Sequence, residues 1–535
     1  MFISNKLLIL GCAISVATLS VWSGPASGGP GGEAAVEAER PTCSLDSLRE
    51  LPDVRIKSMT SETAPAPHCK VAGVIGTETN FELLLPDDWN GKFVMGGGGG
   101  FVGSVVNTAL GYGVLEKGFA TVGTDTGHRG SALDAGWALN NLERVVSFGH
   151  QAVHRSAVTA KALIAAYYGR DSLRNLFFGC SRGGGQALME AQRYPNDFDG
   201  IVAGAPAYNW TEELGGRNTW INQAMFPNPA ELGVATITPE AQELIGNAVM
   251  QQCDRLDGIE DGILNNPLAC DFDESRLACE GEEAGASACL SPAQLQAAKR
   301  VYDGFMLDGE QVFPGYPPGA EFGVGGWTRW ITGGFDVTDV NEFQRGIEPD
   351  PDYPDPQTPN AYFAFGNGVM RYLVHHNPDW DYSTYDFSTF RSDIAAVSST
   401  LDATDPDLDA FRAHGGKLLL FNGWRDMALT PLGTIRYYEE VIDRDAAAAE
   451  DVRLIMVPGM DHCIGGPGAT FIDWIDEIDQ WVETDKAPDQ VTVYWIDGQM
   501  QPDGSRPACA YPKSLLYNGS GDTRNPLNYT CVSSD

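Results

Sequence analysis

Short apolar runs alternate with longer segments of helical apolar spacing in two parts of the chain. In residues 149–168, for example, Val153, Ala157 and Ala160 recur at the spacing of one helix face. The apolar runs between such segments span six residues or fewer, which is typical of buried strands. Alternating strands and helices predict a parallel sheet of the α/β class. The predicted strands are 91–95, 119–124, 176–179, 201–206, 417–422 and 452–457, and the predicted helices are 149–168 and 186–193.

The alternation stops between residues 207 and 395. This stretch is rich in Trp, Pro, Gly, Cys and acidic residues, and it has no clear strand–helix order. Because the alternation returns afterwards, we interpret the stretch as a second domain inserted into the sheet domain. The predicted organisation is a first core segment (43–206), an inserted lid domain (207–395) and a second core segment (396–535).

The N-terminus has the pattern of an export signal. Lys6 provides a basic start, residues 7–22 are mostly apolar, and small residues at 26–28 suit a cleavage site. We expect a signal peptide over 1–28 and a linker over 29–42, so the protein would be secreted or periplasmic. A lipoprotein signal ending at Cys12 is an alternative, although the apolar stretch before it is short. A single membrane anchor is disfavoured because the apolar run is short for a bilayer.

Charge restricts the classes of partner. The chain of 535 residues has 35 basic and 72 acidic residues, a net charge of −37. Such a balance repels phosphate backbones and anionic lipids, so we expect no nucleic acid and, after signal removal, no membrane partner. High solubility is the ordinary explanation of this charge. Oligomeric state is not predicted.

The cysteines suggest a disulfide framework. Loss of Cys12 with the signal leaves ten, an even number that suits an exported protein. Sequence alone does not fix their connectivity, and no C-x-x-C pattern suggests zinc. Local spacing favours Cys43–Cys69, Cys253–Cys270, Cys279–Cys289 and Cys509–Cys531, which leaves Cys180 with Cys463.

Two short motifs carry the candidate chemistry. Gly-Cys-Ser-Arg-Gly at 179–183 fits the G-x-S-x-G nucleophile elbow, a strand-to-helix turn that exposes its serine. Asp-His-Cys at 461–463 supplies a histidine late in the chain, where the order Ser…Asp…His requires it. A glycine-rich turn is the alternative for the first motif. A cysteine beside each of Ser181 and His462 favours the catalytic interpretation, with Ser181 as nucleophile and His462 as base.

The third member of a triad follows a late strand. Asp426 comes soon after the predicted strand 417–422, and we choose it as the acid. Asp461 is the rival, but a residue adjacent to His462 cannot easily turn back onto its ring. The backbone N–H of Arg182 and that of Gly99, with Gly98 close behind, are the candidate oxyanion donors. A phosphate-binding loop is excluded because no G-K-[ST] follows the glycines at 96–100.

An acidic stretch offers a candidate calcium site. Asp254, Asp257 and Asp261 fall within eight residues, with Gly258 and Gly262 for tight turns. Carboxylates and turned carbonyls suit calcium, although the spacing is not that of an EF-hand. A solvated acidic loop is the alternative.

Two histidine pairs are candidate metal ligands. His150 and His154 stand four residues apart, as in zinc proteases, but the intervening glutamate is replaced by Gln151. We expect both to be structural helix residues. His375 and His376 are interpreted as lid surface or pocket wall.

These features together resemble the tannase and feruloyl esterase family. The resemblance covers most of residues 43–531, and its motifs are 97–101, 125–128, 179–181, 199–206, 423–426 and 458–463. It implies an α/β-hydrolase fold with a large inserted lid, the triad Ser181, Asp426 and His462, and a Cys180–Cys463 disulfide. It also implies a structural calcium ion and no organic cofactor. The implied calcium ligands are the side chains of Asp254, Asp257 and Asp261 and the carbonyls of Ile259 and Ile263.

Two departures from the family pattern are visible. Position 182 is Arg where members often have Glu or Thr, and positions 97–98 are Gly-Gly where many have Gly-Asn. Because the oxyanion hole uses backbone groups, neither change threatens the chemistry. We expect Arg182 to alter the charge of the pocket and hence the acyl preference.

The predicted function is hydrolysis of aromatic carboxylic esters of feruloyl, galloyl or terephthalate monoester type through an acyl-enzyme. A carboxylesterase for small aliphatic esters or lactones is the alternative, and a non-catalytic binding protein is the alternative of another class. The lid region supplies aromatic side chains, of which Phe363, Phe365 and Trp380 are either pocket wall or core. The tryptophans of this region are Trp210, Trp220, Trp327, Trp330 and Trp380.

Overall fold

A nine-stranded sheet forms the centre of the molecule, which is known here from a computed structural model. The structure describes residues 42–44, 51–280, 288–333, 358–497 and 501–533. The signal peptide and almost all of the linker lie outside the described residues. The strands are β1 (Val54–Glu62), β2 (His68–Ile75), β3 (Thr79–Pro86), β4 (Lys92–Gly96), β5 (Ala120–Thr124), β6 (Arg174–Cys180), β7 (Gly200–Gly204), β8 (Phe305–Leu307), β9 (Glu310–Phe313), β10 (Lys417–Gly423), β11 (Val452–Val457), β12 (Gln490–Ile496), β13 (Pro502–Cys509), β14 (Lys513–Tyr517) and β15 (Tyr529–Ser533).

The order in the large sheet is β1-β2-β3-β5-β4-β6-β7-β10-β11. The strands β1, β2, β3 and β5 pair antiparallel in succession, and all pairs from β5 to β11 are parallel. All six predicted strands are present, and the predicted α/β class is confirmed. The antiparallel strands β1 to β3 were not predicted.

Alternate residues of the central strands enter two different cores. In β10, Leu418 and Leu420 face the larger core, whereas Leu419 and Phe421 face the smaller one. Both faces are therefore buried, which explains why these strands are continuous apolar runs. The helices are α1 (Leu142–Val146), α2 (Ala152–Tyr168), α3 (Arg182–Arg193), α4 (Asn218–Met225), α5 (Pro239–Cys253), α6 (Pro292–Asp303), α7 (Ala361–Gly368), α8 (Phe390–Leu401), α9 (Asp409–Ala413), α10 (Pro431–Arg444) and α11 (Trp474–Thr484).

The prediction of a helix over 186–193 was wrong at its start, because α3 begins at Arg182. Three consecutive glycines, which are poor helix formers, hid its first turn from the sequence pattern. Their role is steric. A Cβ atom on Gly184 would lie 2.2 Å from the carbonyl oxygen of Gly204, and one on Gly185 would lie 2.0 Å from that of Ala207.

The inserted segment, defined here as residues 207–395, contributes no strand to the large sheet within its described residues. It holds the small β8–β9 hairpin and helices α4 to α8, of which α8 continues to Leu401. Residues 41–535 form one compact unit, and the lid boundaries at 207 and 395 stay a prediction. No helix within the described residues is both long and apolar enough to cross a membrane.

Candidate active site

The three predicted triad residues follow three parallel strands of the sheet. Ser181 follows β6, Asp426 lies shortly after β10, and His462 lies shortly after β11. Because parallel strands end at the same edge, their carboxyl ends bring these side chains to one side of the molecule. The carboxyl edge, as we call the loops 181–183, 424–430 and 458–463, is the frame of the candidate site.

Ser181 sits on a strained turn. Its φ of 62° and ψ of −123° are unusual for a residue with a side chain. Its N–H donates to the carbonyl of Gly204 at 3.0 Å, which fixes the turn against β7. A Cβ atom on Gly179 would lie 2.3 Å from the carbonyl carbon of Gly183, so the turn requires glycine there. This geometry is that of a nucleophile elbow.

Asp426 and His462 form a buried pair. The Nδ1 atom of His462 lies 2.8 Å from Oδ2 of Asp426, whose side chain is fully buried. The other carboxylate oxygen accepts the N–H groups of Ala428 at 2.8 Å and Leu429 at 3.0 Å. With Nδ1 engaged by Asp426, the Nε2 atom remains available for proton transfer. The ring of Trp330 stands edge-on to the imidazole, with centroids 5.4 Å apart.

The rival carboxylate, Asp461, has a different partner. Its Oδ1 atom lies 3.1 Å from Nε of Arg425, and burial raises the pKa of Asp461. The Arg425 guanidinium also donates to the carbonyls of Gly319 at 2.6 Å and Phe322 at 2.7 Å. Asp461 therefore joins the loop after β11 to the inserted segment rather than orienting the imidazole.

A disulfide joins the loops that carry Ser181 and His462. Cys180 and Cys463 are bonded, with Cα atoms 6.0 Å apart, and the sulfur of Cys463 lies 3.7 Å from Nε2 of His462. The bridge thus links the residue before Ser181 to the residue after His462. The remaining bridges have the pairing that local spacing favoured, namely Cys43–Cys69, Cys253–Cys270, Cys279–Cys289 and Cys509–Cys531.

The glycine loop after β4 lies against the elbow. The N–H of Gly97 donates to the carbonyl of Phe178, and that of Gly98 donates to Oε1 of Gln186 at 3.0 Å. These two donors are therefore occupied, which disfavours Gly98 as an oxyanion donor. Neither Gly99 nor Gly100 has a backbone N–H bond to another main-chain group of the described residues. The oxyanion role of Gly99 and of the Arg182 N–H stays a prediction.

An open pocket lies beside Ser181. Its lining residues are Gly100, Ser181, Arg182, Ala207, Trp210, Leu214, Asn218, Trp330, Tyr362, Phe365, Ala428 and Leu429. Of the three predicted wall aromatics, Phe365 lines this pocket. Phe363 packs edge-on to Tyr382 instead, and Trp380 stacks on His375 with centroids 5.4 Å apart.

The Arg182 side chain is buried. Its Nη2 atom donates to the carbonyls of Phe148 and Gly149, and its guanidinium lies 4.1 Å from the ring centroid of Phe148. Burial lowers the pKa of Arg182 to about 9, so the group remains charged at neutral pH. The sequence predicted an effect of Arg182 on the charge of the pocket but did not reveal its burial, because arginine side chains are mostly exposed in folded proteins.

A buried polar network supports the Asp426 loop from the inserted segment. The hydroxyls of Tyr362 and Tyr316 lie 2.5 and 3.1 Å from the carbonyl oxygen of Met427. Arg217 donates to the Tyr316 hydroxyl at 2.6 Å and pairs with Glu213 at 3.2 Å. We call Glu213, Arg217, Tyr316 and Tyr362 the support network. Sequence reasoning missed it, since nothing in the local pattern distinguishes these residues from ordinary core and surface positions.

Comparison with known proteins gives the family. The family model described as tannase and feruloyl esterase matches residues 65–532. The chain belongs to this family. Mono(2-hydroxyethyl) terephthalate hydrolase from Piscinibacter sakaiensis is 32% identical over 534 residues, covering 88% of this chain and 86% of that protein. Feruloyl esterase B from Aspergillus niger is 28% identical over 488 residues, covering 87% and 86%. The protein is a carboxylic ester hydrolase.

A solved structure supports the fold of this esterase. The crystal structure of feruloyl esterase B from Aspergillus oryzae has a TM-score of 0.77 and 26% identity, and the match covers 92% of this chain and 99% of that one. The α/β-hydrolase prediction is therefore confirmed.

The predicted calcium loop of the esterase has oxygen ligands suited to a cation. Burial, with smaller contributions from the nearby Asp261 and Asp254, raises the pKa of Asp257 to about 6. The three aspartates do not bring one oxygen each within 4.8 Å of one another. No backbone N–H of the described residues donates to the carbonyls of Ile259 or Ile263. The loop therefore offers carboxylate and main-chain carbonyl oxygens, and its role as a calcium site stays a prediction.

A tighter acidic cluster lies elsewhere, between α2 and α3. Ligand atoms of His154, Glu190 and Asp197 lie within 4.8 Å of one another, the only such group of three in the described part of the chain. Asp197 also accepts from Lys161 at 3.0 Å, so a cation already balances one carboxylate. Nδ1 of His150 lies 2.7 Å from the Tyr194 hydroxyl. These contacts agree with the expected structural role of both histidines.

Proposed function

We propose that the protein is a serine esterase that hydrolyses esters of aromatic carboxylic acids through an acyl-enzyme. The observation that supports it most directly is the buried Asp426–His462 pair, bridged by Cys180–Cys463 to the strained Ser181 elbow. An aromatic-walled pocket begins at the same serine. The names of the relatives quoted above favour aromatic acids over other acyl groups.

In the first step, Ser181 Oγ attacks the ester carbonyl carbon while its proton passes to Nε2 of His462. Asp426 holds Nδ1 and stabilises the imidazolium that forms. The N–H groups of Arg182 and Gly99 are proposed to bind the oxyanion. When the tetrahedral intermediate collapses, the C–O bond to the alcohol breaks and His462 returns the proton to the leaving alkoxide oxygen.

In the second step, water replaces the alcohol. His462 takes a proton from the water as its oxygen attacks the acyl carbon, and the ester bond to Ser181 then breaks. The proton returns to Ser181 Oγ. The acid is released and the free enzyme is restored, so one water is consumed for each ester cleaved.

The pocket wall supports an aromatic acyl group. Trp210, Trp330 and Phe365 line the space beside Ser181. Aromatic contacts of good geometry contribute about 0.5–1.5 kcal/mol each beyond burial. Two or three of them correspond to about a ten- to thousandfold preference over a short aliphatic acyl group.

The substrate class is tested by steady-state kinetics with methyl ferulate, methyl gallate, methyl benzoate and methyl butyrate. A kcat/KM for the aromatic esters at least about tenfold above that for butyrate is expected. Equal values, or preference for butyrate, would leave the alternative of a carboxylesterase for aliphatic esters. Adding mono(2-hydroxyethyl) terephthalate to the same panel shows which of the candidate aromatic acids gives the highest kcat/KM.

The covalent step is tested with a fluorophosphonate and mass spectrometry. Labelling of Ser181 in the native protein, and none in the Ser181→Ala variant, is expected. Ser156 is also a buried serine and serves as a control position, which should carry no label. Absence of any adduct, together with absence of ester turnover, would favour a non-catalytic binding protein.

We further propose that Asp254, Asp257 and Asp261, with the Ile259 and Ile263 carbonyls, bind a structural calcium ion. The mutual repulsion of the carboxylates supports this assignment. Export to an oxidising compartment is proposed as well, because five disulfides persist there and not in the cytosol.

A further inference from the structure

The glycine loop after β4 is anchored on both sides of its two free N–H groups. Before them, the carbonyl of Gly98 accepts the N–H of Gly183 in the elbow at 2.9 Å. After them, the N–H of Phe101 donates to the carbonyl of Ala132 at 2.8 Å. The N–H groups of residues 99–100 therefore belong to a short segment whose two ends are both fixed.

The second anchor comes from another loop, residues 125–132, which follows β5. The two loops are in closest contact at Gly100, where an added Cβ atom would lie 2.3 Å from the carbonyl oxygen of Ala132. His128 of the same loop adds a side-chain contact, since its Nε2 atom lies 2.9 Å from the carbonyl oxygen of Phe101. Both the N–H and the C=O of Phe101 are thus held by this loop.

The imidazole of His128 is held in one orientation. It is fully buried, and it stacks on the ring of Trp137 with centroids 3.8 Å apart. The ring of Phe148 stands edge-on to it at 6.1 Å. Burial lowers the pKa of His128 to about 3, so the ring is neutral at ordinary pH. Because a carbonyl only accepts, Nε2 carries the ring proton and donates it to Phe101.

The residues held in this way form a tight turn. The N–H of Val102 donates to the carbonyl of Gly99 at 2.9 Å, three residues earlier. Since a trans peptide is planar, the N–H of Gly100 points opposite to that carbonyl and therefore out of the turn. Gly100 lines the pocket beside Ser181. A rotation of the turn about Phe101 would redirect the free N–H groups.

We infer that His128 is a positioning residue for the oxyanion: its Nε2–H holds the Phe101 carbonyl and thereby fixes the turn that carries the proposed donor Gly99. The inference rests on the proposed function, which places an oxyanion donor in this loop. His128 itself does not line the pocket. Donors that are fixed before the reaction stabilise the developing charge without reorganisation, and loss of one donor costs about a hundred- to thousandfold in kcat. A displaced donor should cost about tenfold or more.

His68 provides a matched control. It is 3% exposed, and its Nδ1 atom lies 2.7 Å from the carbonyl oxygen of Ala66. It begins β2 and does not line the pocket. The two histidines are therefore both buried and both contact a main-chain carbonyl, but only the carbonyl bound by His128 belongs to the glycine loop.

The experiment measures kcat and KM for methyl benzoate and for its thiono analogue, in which sulfur replaces the carbonyl oxygen. His128→Phe keeps a flat ring against Trp137 but has no donor, and it should lower kcat for methyl benzoate about tenfold or more with KM within about threefold. The preference for methyl benzoate over the thiono ester should fall by a similar factor, because sulfur is a weak acceptor and gains little from the oxyanion donors. His128→Gln retains an N–H donor and should recover most of both quantities. His68→Phe should keep both within about threefold, whatever its melting temperature.

Native kcat in His128→Phe, or a loss no larger than that in His68→Phe, would overturn the inference. An equal loss in His128→Gln and His128→Phe would also overturn it, because the hydrogen bond would not be the cause. If His128→Phe fails to fold, His128→Asn decides the same question: its amide is too short to reach Phe101, and an unchanged kcat and thiono preference would contradict the inference. Turnover of methyl benzoate by Ser181→Ala would instead refute the proposed function itself.

Discussion

The carboxyl edge and the pocket wall hold their functional groups by different means. At the edge, the main chain sets the positions: Ser181 has a positive φ angle, and glycines allow the backbone segments to approach closely. A disulfide between neighbouring loops adds a covalent constraint. In the wall, position is set by side chains of the inserted segment, which pack in a buried layer of aromatic and charged groups. We therefore expect the edge to hold the reacting groups in place for any ester and the wall to distinguish one acyl group from another.

One place where the two regions meet is the loop that carries Asp426. Its carboxylate belongs to the edge, but the Met427 carbonyl next to it is held by Tyr316 and Tyr362 of the inserted segment. Thr430 in the same loop donates to Glu213, whose pKa burial raises to about 7 against the opposing effect of Arg217. Substitutions at the carboxyl edge, in the contacts that hold the Asp426 loop and in remote loops should therefore have effects of very different size.

The largest effect is expected at the edge. Ser181→Ala, His462→Ala and Asp426→Asn should each lower kcat/KM by at least about a thousandfold with the fold intact, because each removes part of one proton-transfer unit. Asp461→Asn is the matched control, since this carboxylate adjoins His462 but pairs with Arg425. It should lose stability and keep kcat/KM within about tenfold. A thousandfold loss in Asp461→Asn, or turnover by Ser181→Ala, would reverse the assignment.

The next effect concerns the bridge. Removing the Cys180–Cys463 disulfide by a double alanine substitution should lower both kcat and the melting temperature. The chain-entropy model gives up to about 5 kcal/mol for a loop of this length. The control is the double alanine variant of Cys509 and Cys531, which are bonded away from Ser181. It should lower the melting temperature alone. Free thiols at 180 and 463 in unreduced peptide maps would contradict the prediction.

A smaller effect is expected from the contacts that hold the Asp426 loop. Tyr362→Phe removes a hydrogen bond to the Met427 carbonyl and should lower kcat by about tenfold, as the Asp426 loop loses a fixed position. Tyr382→Phe is the control, because its hydroxyl also bonds a main-chain carbonyl, that of Phe226, at 2.5 Å. Both variants should lose similar stability. Equal kcat in the two variants would mean that the support network is only structural.

The smallest effect on activity is expected from calcium. Ion binding to the folded state alone adds about 2.7 kcal/mol when free calcium exceeds its Kd a hundredfold. Chelation should therefore lower the melting temperature, and added calcium should restore it, with kcat unchanged at low temperature. Asp257→Asn should abolish this response, whereas Asp271→Asn, outside the loop, should retain it. Calcium-free protein with no chelator response would show a merely solvated loop.

The frame of the candidate site was predictable because its requirements are local. A nucleophile elbow needs small residues within two positions of the serine, and buried strands need continuous apolar runs, so both leave marks in adjacent residues. The start of α3 and the strands β1 to β3 were missed. Three glycines suppress the helix pattern, and β1, mostly exposed at the sheet edge, lacks a continuous apolar run.

The sequence by itself determined the α/β class, the motifs of Ser181 and His462, and the local cysteine pairs. Only the tertiary structure decided that Asp426 and not Asp461 faces the imidazole, that Arg182 is buried, and that Phe365 rather than Phe363 or Trp380 reaches the pocket. The physical reason is the range of the interactions. Backbone strain and strand burial act between near neighbours, whereas side-chain direction in a buried wall depends on partners brought together from distant parts of the chain.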